Sequence, residues 1–280
     1  EVVYGIILFG WHAALTIAVS VISCILFEFI FQKVTKQKVV INNLSAAVTG
    51  VMLALVCPPT TPWWMIVIGS AVIVAKGLFG GIGSNVFNPA LTGRAVMFIS
   101  FPAIMGAQWL TPHSTSGIDA ISSATTLSKL SSGAIQSIDF WQYFVGNRAG
   151  CIGETSVLLI LISFIFLLAT KIIDWRAPAG MIGTVTVCAF IAGLAKTGTM
   201  AGAGQEILIN LLTGGLAFGA CFIVTDYATT PVTKPGRLIF GAGCGLITFL
   251  IRKFCGYPEG VMFSILIMNS VAPLLNNFTG

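Results

Sequence analysis

Four hydroxyl side chains lie within five residues of one polar stretch of the chain. Ser122, Ser123, Thr125 and Thr126 surround Ala124, whose small side chain leaves the centre of the group sterically open. Hydroxyl groups suit a phosphate, and a helix that starts here would also direct free N–H groups toward an anion. The pattern therefore predicts a phosphate site, although composition alone favours an ordinary solvated loop.

Charged residues and histidines around this stretch limit the chemistry further. Lys129 follows Thr125 by four residues, so on a helix it would offset the charge of an anion there. His12 and His113 are the only histidines, and neither has a carboxylate partner nearby in sequence. An arrangement of nucleophile, base and orienting group is therefore not visible. The sequence therefore argues against hydrolysis, and we expect no catalytic residue in this chain alone.

The rest of the chain is far too apolar for a soluble domain. Of its 280 residues 56% are hydrophobic and 8% charged, and the mean hydropathy is +0.96; a soluble domain carries about 25% charged residues. We therefore predict an all-α integral membrane protein with one polytopic transmembrane domain. The uncharged run 39–75 is long enough for two helices, which the sequence splits near 57–62; the second continues to about 78. The other predicted complete spans are at about 11–32, 90–105, 155–170, 177–195, 207–225, 238–251 and 260–275.

Basic residues are scattered among the connections, which argues against nucleic acid as a partner and instead predicts membrane orientation. The side with the excess is taken as cytoplasmic. This places the polar stretch on the outer face and the C-terminus in the cytoplasm. One side collects nine residues: Lys33, Lys36, Lys38, Lys76, Arg94, Lys171, Arg176, Lys234 and Arg237. The other side collects five: Lys129, Arg148, Lys196, Arg252 and Lys253.

A short internal repeat predicts the architecture. Thr-Gly at 49–50 and Thr-Thr-Pro at 60–62 recur at 213–214 and 229–231. In the predicted topology the two copies cross the membrane in opposite directions. This is typical of inverted repeats with broken helices. We expect repeat one at about 1–105, a polar outer loop at about 106–150 and repeat two at about 151–280, with about five spans in each repeat.

A few polar residues inside or beside apolar runs have structural and functional interpretations. Glu28 and Lys76 either mark an ion path or are an interfacial carboxylate and a snorkelling lysine. Glu154 is expected to interact with the N-terminal dipole of the next helix, and Asp226 to cap a broken helix. The seven cysteines show no metal-ligand or disulfide spacing, so we predict buried apolar thiols and no metal site.

The polar stretch also resembles a known motif. Asp119-x-x-Ser122-Ser123-Ala124-Thr125 is similar to the D-x-x-[ST]-[GS]-A-T flavinylation motif of the NqrB/RnfD family of bacterial respiratory membrane subunits. It departs from the family only in Ser123, where glycine is common. The chain length and the residues of the matching stretches resemble the RnfD branch more than the longer NqrB branch. Further matching stretches cover nearly the whole chain, at 53–65, 78–83, 87–95, 152–156, 225–231 and 257–262.

The resemblance implies a cofactor and its attachment. In that family a flavin transferase links FMN through its phosphate to the motif threonine, which corresponds to Thr125 here. Asp119 would be recognised by the transferase, Ser122, Ser123, Ala124 and Lys129 would surround the site, and Thr126 is the rival acceptor. The resemblance further implies a second, noncovalent flavin such as riboflavin, and a preceding N-terminal segment that includes most of the first span.

The function implied is electron relay in an Rnf-type ferredoxin:NAD oxidoreductase coupled to Na⁺ or H⁺ translocation. Its partners would be the other membrane and peripheral subunits of that complex, the flavin transferase and the lipid of the bacterial inner membrane. Two alternatives stay open from sequence. One is the NqrB-type subunit of a sodium-pumping quinone reductase, and the other is a channel or secondary transporter, whose folds also use inverted repeats.

Overall fold

The computed structural model describes residues 1–36, 39, 41–73, 85–107, 109–110, 112, 140–255 and 260–280. All regular structure within these ranges is helical, which confirms the predicted all-α class. The helices are α1 (Val2–Phe9), α2 (Trp11–Val34), α3 (Ser45–Leu55), α4 (Trp63–Ile73), α5 (Pro89–Ser100), α6 (Pro102–Ala107), α7 (Phe140–Val145), α8 (Val157–Ala169), α9 (Arg176–Thr197), α10 (Met200–Leu212), α11 (Leu216–Ile223), α12 (Lys234–Phe254) and α13 (Val261–Thr279).

Three described helices, α2, α9 and α13, are long and apolar enough to cross a membrane. A fourth crossing results if α10 and α11 together form one broken span. Helices α3, α4 and α8 are apolar but shorter. These features confirm a multi-pass membrane protein. The predicted total of about ten spans remains a prediction.

The span predicted at 207–225 falls on two helices that are joined by a bend. Helix α10 ends at Leu212, and α11 continues at an angle of 65° to it. Gly214 lies between them with φ +65°, a left-handed conformation that a residue with a Cβ rarely adopts. The last five residues of α11, Gly219–Ile223, form a π-helical turn. The apolar composition of this segment conceals the break, because hydropathy is nearly uniform across it.

The described residues fall into two compact units. Unit one contains those of Glu1–Ala124 together with Arg148–Thr155, and unit two contains those of Thr125–Asn147 together with Ser156–Gly280.

In unit one, α2 packs against α3 and α4, and α4 packs against α5. Gly50 brings α3 so close to α2 that a Cβ at this position would lie 2.8 Å from the Val21 Cα. The Ser20 hydroxyl donates a 2.7 Å hydrogen bond to the Gly50 carbonyl oxygen at the same crossing. Small residues allow this approach, which is typical of helix packing in membranes.

In unit two, α9 packs against α10 and α12, and α12 packs against α13. Gly241 and Gly245 of α12 face α9; a Cβ on Gly245 would lie 2.5 Å from the Met181 carbonyl oxygen. Thr248 and Ser264 share a buried 2.7 Å hydrogen bond between α12 and α13. In both units the helix after Thr-Thr-Pro, α4 or α12, thus lies between an earlier long helix and a later one. The opposite membrane directions of the two repeats remain a prediction.

Candidate functional site

The residues nominated for flavin attachment lie outside the described part of the chain. They are Asp119, Ser122, Ser123, Ala124, Thr125 and Lys129. Their assignment therefore rests on the motif. The residue types are compatible with a phosphoester, because Thr125 carries an alcohol oxygen and Lys129, four residues later in sequence, carries a positive charge.

The chain that returns from this loop is anchored in unit one by main-chain hydrogen bonds. The N–H of Gly153 donates to the Leu55 carbonyl oxygen at 2.8 Å, and the N–H of Ile152 donates to that of Cys57 at 3.1 Å. Leu55 is the last residue of α3, and the terminal carbonyl groups of a helix have no donor partner inside it. The segment Arg148–Thr155 thereby satisfies the end of a helix that stops within an apolar run.

A buried ion pair also holds this segment. Arg94 on α5 lies 3.8 Å from the Glu154 carboxylate, and the two side chains are only 4% and 6% exposed. Arg94 also donates to the Cys151 Sγ at 3.4 Å. Arg148 donates to the Glu154 carbonyl oxygen at 2.7 Å. Two arginines and one carboxylate therefore hold a short segment in the apolar interior, where an unpaired charge would be costly.

The break in unit two has a different arrangement. Arg252, near the end of α12, donates to the Asn210 carbonyl oxygen at 2.7 Å and to the Thr213 carbonyl oxygen at 3.1 Å. Both acceptors lie at the C-terminal end of α10, where carbonyl groups lack helical donors. A single guanidinium therefore stabilises the 65° bend between α10 and α11.

A second polar cluster of unit two lies where α9 and α12 begin. The Asp174 carboxylate accepts hydrogen bonds from Arg176 at 2.7 Å and from Arg237 at 2.9 Å. Partial burial would raise the pKa of the Asp174 carboxyl, but hydrogen bonds from the Arg176 N–H and from both guanidinium groups outweigh it, so the pKa lies below its ordinary value. The carboxylate thus joins the connection before α9 to the first turn of α12.

Several sequence expectations are revised by these contacts. Glu154 is not a helix cap: Ser156 is the N-cap of α8 and its hydroxyl accepts from the Leu159 N–H. Asp226 forms a local turn, accepting from the Ala228 N–H and the Thr229 hydroxyl, while Thr233 is the N-cap of α12. The sequence predicted that both carboxylates interact with the end of a neighbouring helix. In the structure Glu154 pairs with Arg94, and Asp226 accepts hydrogen bonds within a local turn.

The remaining expectations have mixed outcomes. Glu28 is buried on α2 and accepts a hydrogen bond from Gln32. Its two interpretations, a residue of an ion path and an interfacial carboxylate, stay predictions. Lys76 lies outside the described residues. Five cysteines are buried as predicted, whereas Cys188 is half-buried and Cys255 exposed. Within the described ranges, no three or more His, Cys, Asp or Glu side chains gather as metal ligands do.

Sequence reasoning missed the roles of Arg94, Arg148 and Arg252, which were counted among the membrane-flanking charges. In the structure Arg94 and Arg148 are buried, and Arg252 is half-buried. One signal was available for Arg94. It follows five residues after Pro89 in a predicted span, and an ionisable residue inside a span requires a partner. The identity of that partner, Glu154, depends on tertiary structure.

The whole chain, residues 1–280, matches the model of the NQR2, RnfD, RnfE family. It is 39% identical to the D subunit of the proton-translocating ferredoxin:NAD(+) oxidoreductase complex of Clostridium ljungdahlii, over 99% of this chain and 85% of that protein. It is also 39% identical to the D subunit of the Na(+)-translocating ferredoxin:NAD(+) oxidoreductase complex of Acetobacterium woodii, over 97% and 82%. Identity to the D subunit of the ion-translocating oxidoreductase complex of Escherichia coli is 37%, over 97% and 86%. The predicted resemblance is therefore confirmed, and the chain belongs to the NQR2, RnfD, RnfE family.

Proposed function

We propose that this protein is the RnfD-type flavoprotein component of an Rnf ferredoxin:NAD oxidoreductase and relays electrons through FMN bound to Thr125. The observation that carries the proposal is the motif Asp119-x-x-Ser122-Ser123-Ala124-Thr125 in a chain of this family. The Thr125 hydroxyl oxygen forms a phosphoester with the FMN phosphate. When bound, the isoalloxazine ring supplies the redox chemistry, while the protein fixes its position and environment.

The described contacts hold in place a segment that follows the motif stretch in sequence. The segment Arg148–Thr155, which begins 23 residues after Thr125, is bound to unit one by two main-chain hydrogen bonds and one buried ion pair. An electron carrier benefits from such anchoring because its transfer distances must be maintained. The role of Arg94 and Glu154 in this proposal is to hold the chain.

Ion translocation is proposed for the complex rather than for a residue of this chain. The two relatives of equal identity are named for different ions, one for protons and one for Na⁺. Similarity therefore favours neither ion here. The second, noncovalent flavin also remains a prediction without assigned residues.

The proposed setting is the bacterial inner membrane, with the flavin loop on the outer side and the other Rnf subunits as partners. A flavin transferase acts during maturation. The names of the relatives favour the Rnf complex over a sodium-pumping quinone reductase. A passive channel or secondary transporter has no need of a threonine that accepts a flavin.

Covalent attachment is tested by co-expressing the full chain with a flavin transferase and viewing a denaturing gel under ultraviolet light. We expect a fluorescent band for the wild type and for Thr126→Ala, and none for Thr125→Ala. Thr126→Ala is the matched control, since it removes an adjacent hydroxyl of the same type. A dark wild-type band, or fluorescence that survives in Thr125→Ala, would overturn the proposal.

A further inference from the structure

A small polar cavity opens in unit two where α9 and α12 begin. Its volume is about 60 Å³, and its lining includes Ile172, Asp174, Tyr227 and Arg237. Because one water needs about 10–15 Å³ on this measure, the cavity has room for about four or five heavy atoms. A tetrahedral phosphate group is of this size.

The hydrogen-bonding capacity of Arg237 at this cavity is only partly used. Its Nε donates to the Pro231 carbonyl oxygen and its Nη1 to Asp174, both at 2.9 Å. A guanidinium has five N–H donors and is permanently charged, so three donors of Arg237 remain for an anion. The wall of the cavity thus presents a positioned donor whose orientation is fixed by two protein contacts.

The charge around the cavity favours an anion. Lys171 precedes the lining residue Ile172, and Lys234 lies one helical turn before Arg237. With Arg176 and Arg237 these make four cations, against two carboxylates, Asp174 and Asp226. Asp174 is held between the two arginines, and Asp226 accepts from Ala228 and Thr229. The formal charge of the cluster is therefore +2.

The surroundings of the cavity match the edge of a bilayer. Tyr227 is 75% exposed and Trp175 is 56% exposed, and both side chains combine a ring with a polar group, as is typical of membrane interfaces. Ile172, which lines the cavity, and Leu238, which follows Arg237 in sequence, are exposed apolar residues. A free inorganic anion would use only the donors, whereas a phospholipid would also cover these apolar side chains.

We propose that this cavity binds the phosphate of an anionic phospholipid, with Arg237 as the main donor and Lys171, Arg176 and Lys234 supplying charge. The acyl chains lie against the exposed apolar residues at the start of α12. Basic pockets between transmembrane helices bind anionic headgroups in this way. The site is independent of the flavin proposal, since it uses neither the motif loop nor unit one.

The test measures lipids retained by the purified full chain, with any subunits that co-purify, by native mass spectrometry. Phosphatidylglycerol or phosphatidylcholine is added at equal concentration in neutral detergent. We expect preferential retention of phosphatidylglycerol. Lys234→Gln and Lys171→Gln should each lower it by about fivefold, and Arg237→Gln by more. Lys234 and Lys171 are exposed, so these variants keep the test valid if Arg237→Gln fails to fold.

The matched control is Lys196→Gln, which makes the same change at the opposite end of α9 and should leave retention unchanged. Equal retention of the two lipids would overturn the proposal, as would an equal loss in Lys196→Gln. Displacement of bound phosphatidylglycerol by millimolar inorganic phosphate would also overturn it, since the site would then select a free anion.

Discussion

The two units each contain a helix that stops inside an apolar run, and they satisfy its terminal carbonyl groups differently. In unit one the acceptors at Leu55 and Cys57 receive main-chain N–H groups of Gly153 and Ile152. In unit two the acceptors at Asn210 and Thr213 receive the side chain of Arg252. Both solutions meet the same requirement, since a backbone group without a partner in the bilayer costs several kcal/mol.

The two arrangements differ in how sensitive their hydrogen bonds are to amino-acid substitution. A main-chain donor survives every substitution except proline, so unit one depends on the side chains that hold the donating segment in place. A guanidinium donor is lost in one substitution. Unit one also connects its break to the chain that leaves the motif loop, whereas unit two closes its break between two of its own helices. We therefore expect the most sensitive residues of unit one to be the ion pair.

Replacing Glu154 by glutamine should have the largest effect. The substitution removes the charge partner of Arg94 in an interior where both side chains are at most 6% exposed. Loss of one partner of a buried pair costs about 3–5 kcal/mol. Chemical unfolding in detergent should show this loss. The double variant Arg94→Met with Glu154→Leu should recover most of the lost stability, because two apolar side chains can be buried without the cost of removing charged groups from water.

The control for this prediction is the exposed pair of Lys196 and Glu206 in unit two, at 2.9 Å. Because Lys196 is 69% exposed, Glu206→Gln should cost less than about 1 kcal/mol. Equal losses for Glu154→Gln and Glu206→Gln would contradict the importance of the buried pair.

Removing the guanidinium of Arg252 tests the solution in unit two. Arg252→Met keeps much of the side-chain length but takes the donors away from two carbonyl oxygens, and hydrogen bonds to charged groups contribute about 1.5–3 kcal/mol. We expect a loss of about 2–3 kcal/mol and faster hydrogen exchange in α10. Lys253→Met, at the adjacent exposed position, should be nearly neutral. A comparable loss in Lys253→Met would argue against the carbonyl contacts.

Both units contain glycines at which two helices approach each other closely. A Cβ on Gly241 would overlap the Ala177 carbonyl oxygen in unit two, and one on Gly50 would lie 2.8 Å from the Val21 Cα in unit one. Both atoms belong to the backbone of a packed helix, which cannot easily move to relieve a clash. Gly241→Ala and Gly50→Ala should each cost about 1–3 kcal/mol in unfolding experiments. Gly183→Ala meets nothing within 4 Å and should cost nothing measurable; a loss there would mean that backbone effects, and not contact, dominate.

The stability of unit two should depend slightly on pH through Asp174. Because the folded-state pKa of Asp174 lies below its ordinary value, its contribution to stability is complete above the ordinary carboxyl range and is lost as pH falls through the lowered pKa. Asp174→Asn should flatten this part of the stability profile. Identical acid profiles for the wild type and Asp174→Asn would contradict the ion-pair assignment.

How far the sequence could predict the structure is seen in particular residues. Apolar runs located α2 and α9 to within about two residues, since a long uniform span leaves little choice of boundary. The bend after Leu212 was missed because hydropathy does not change there, although Gly214 was visible. The helix before Pro58 was correctly ended by its prolines.

The candidate site divides in the same way. The motif at Thr125 is local, so it could be identified from sequence, and its attachment role stays a prediction. The Arg94–Glu154 pair joins residues 60 positions apart, and no local pattern specifies such a partner. Removing the buried Arg94 and Arg148 from the orientation count leaves eight basic residues against four, so the predicted orientation does not depend on either.

Mass spectrometry of the tryptic peptide 95–129 tests the central claim most directly, because it contains the whole motif and ends at Lys129. For the full chain co-expressed with a flavin transferase, we predict a mass increase of one FMN less one water, and fragmentation that assigns it to Thr125. An unmodified peptide, or the same increase on Thr126, would contradict the account.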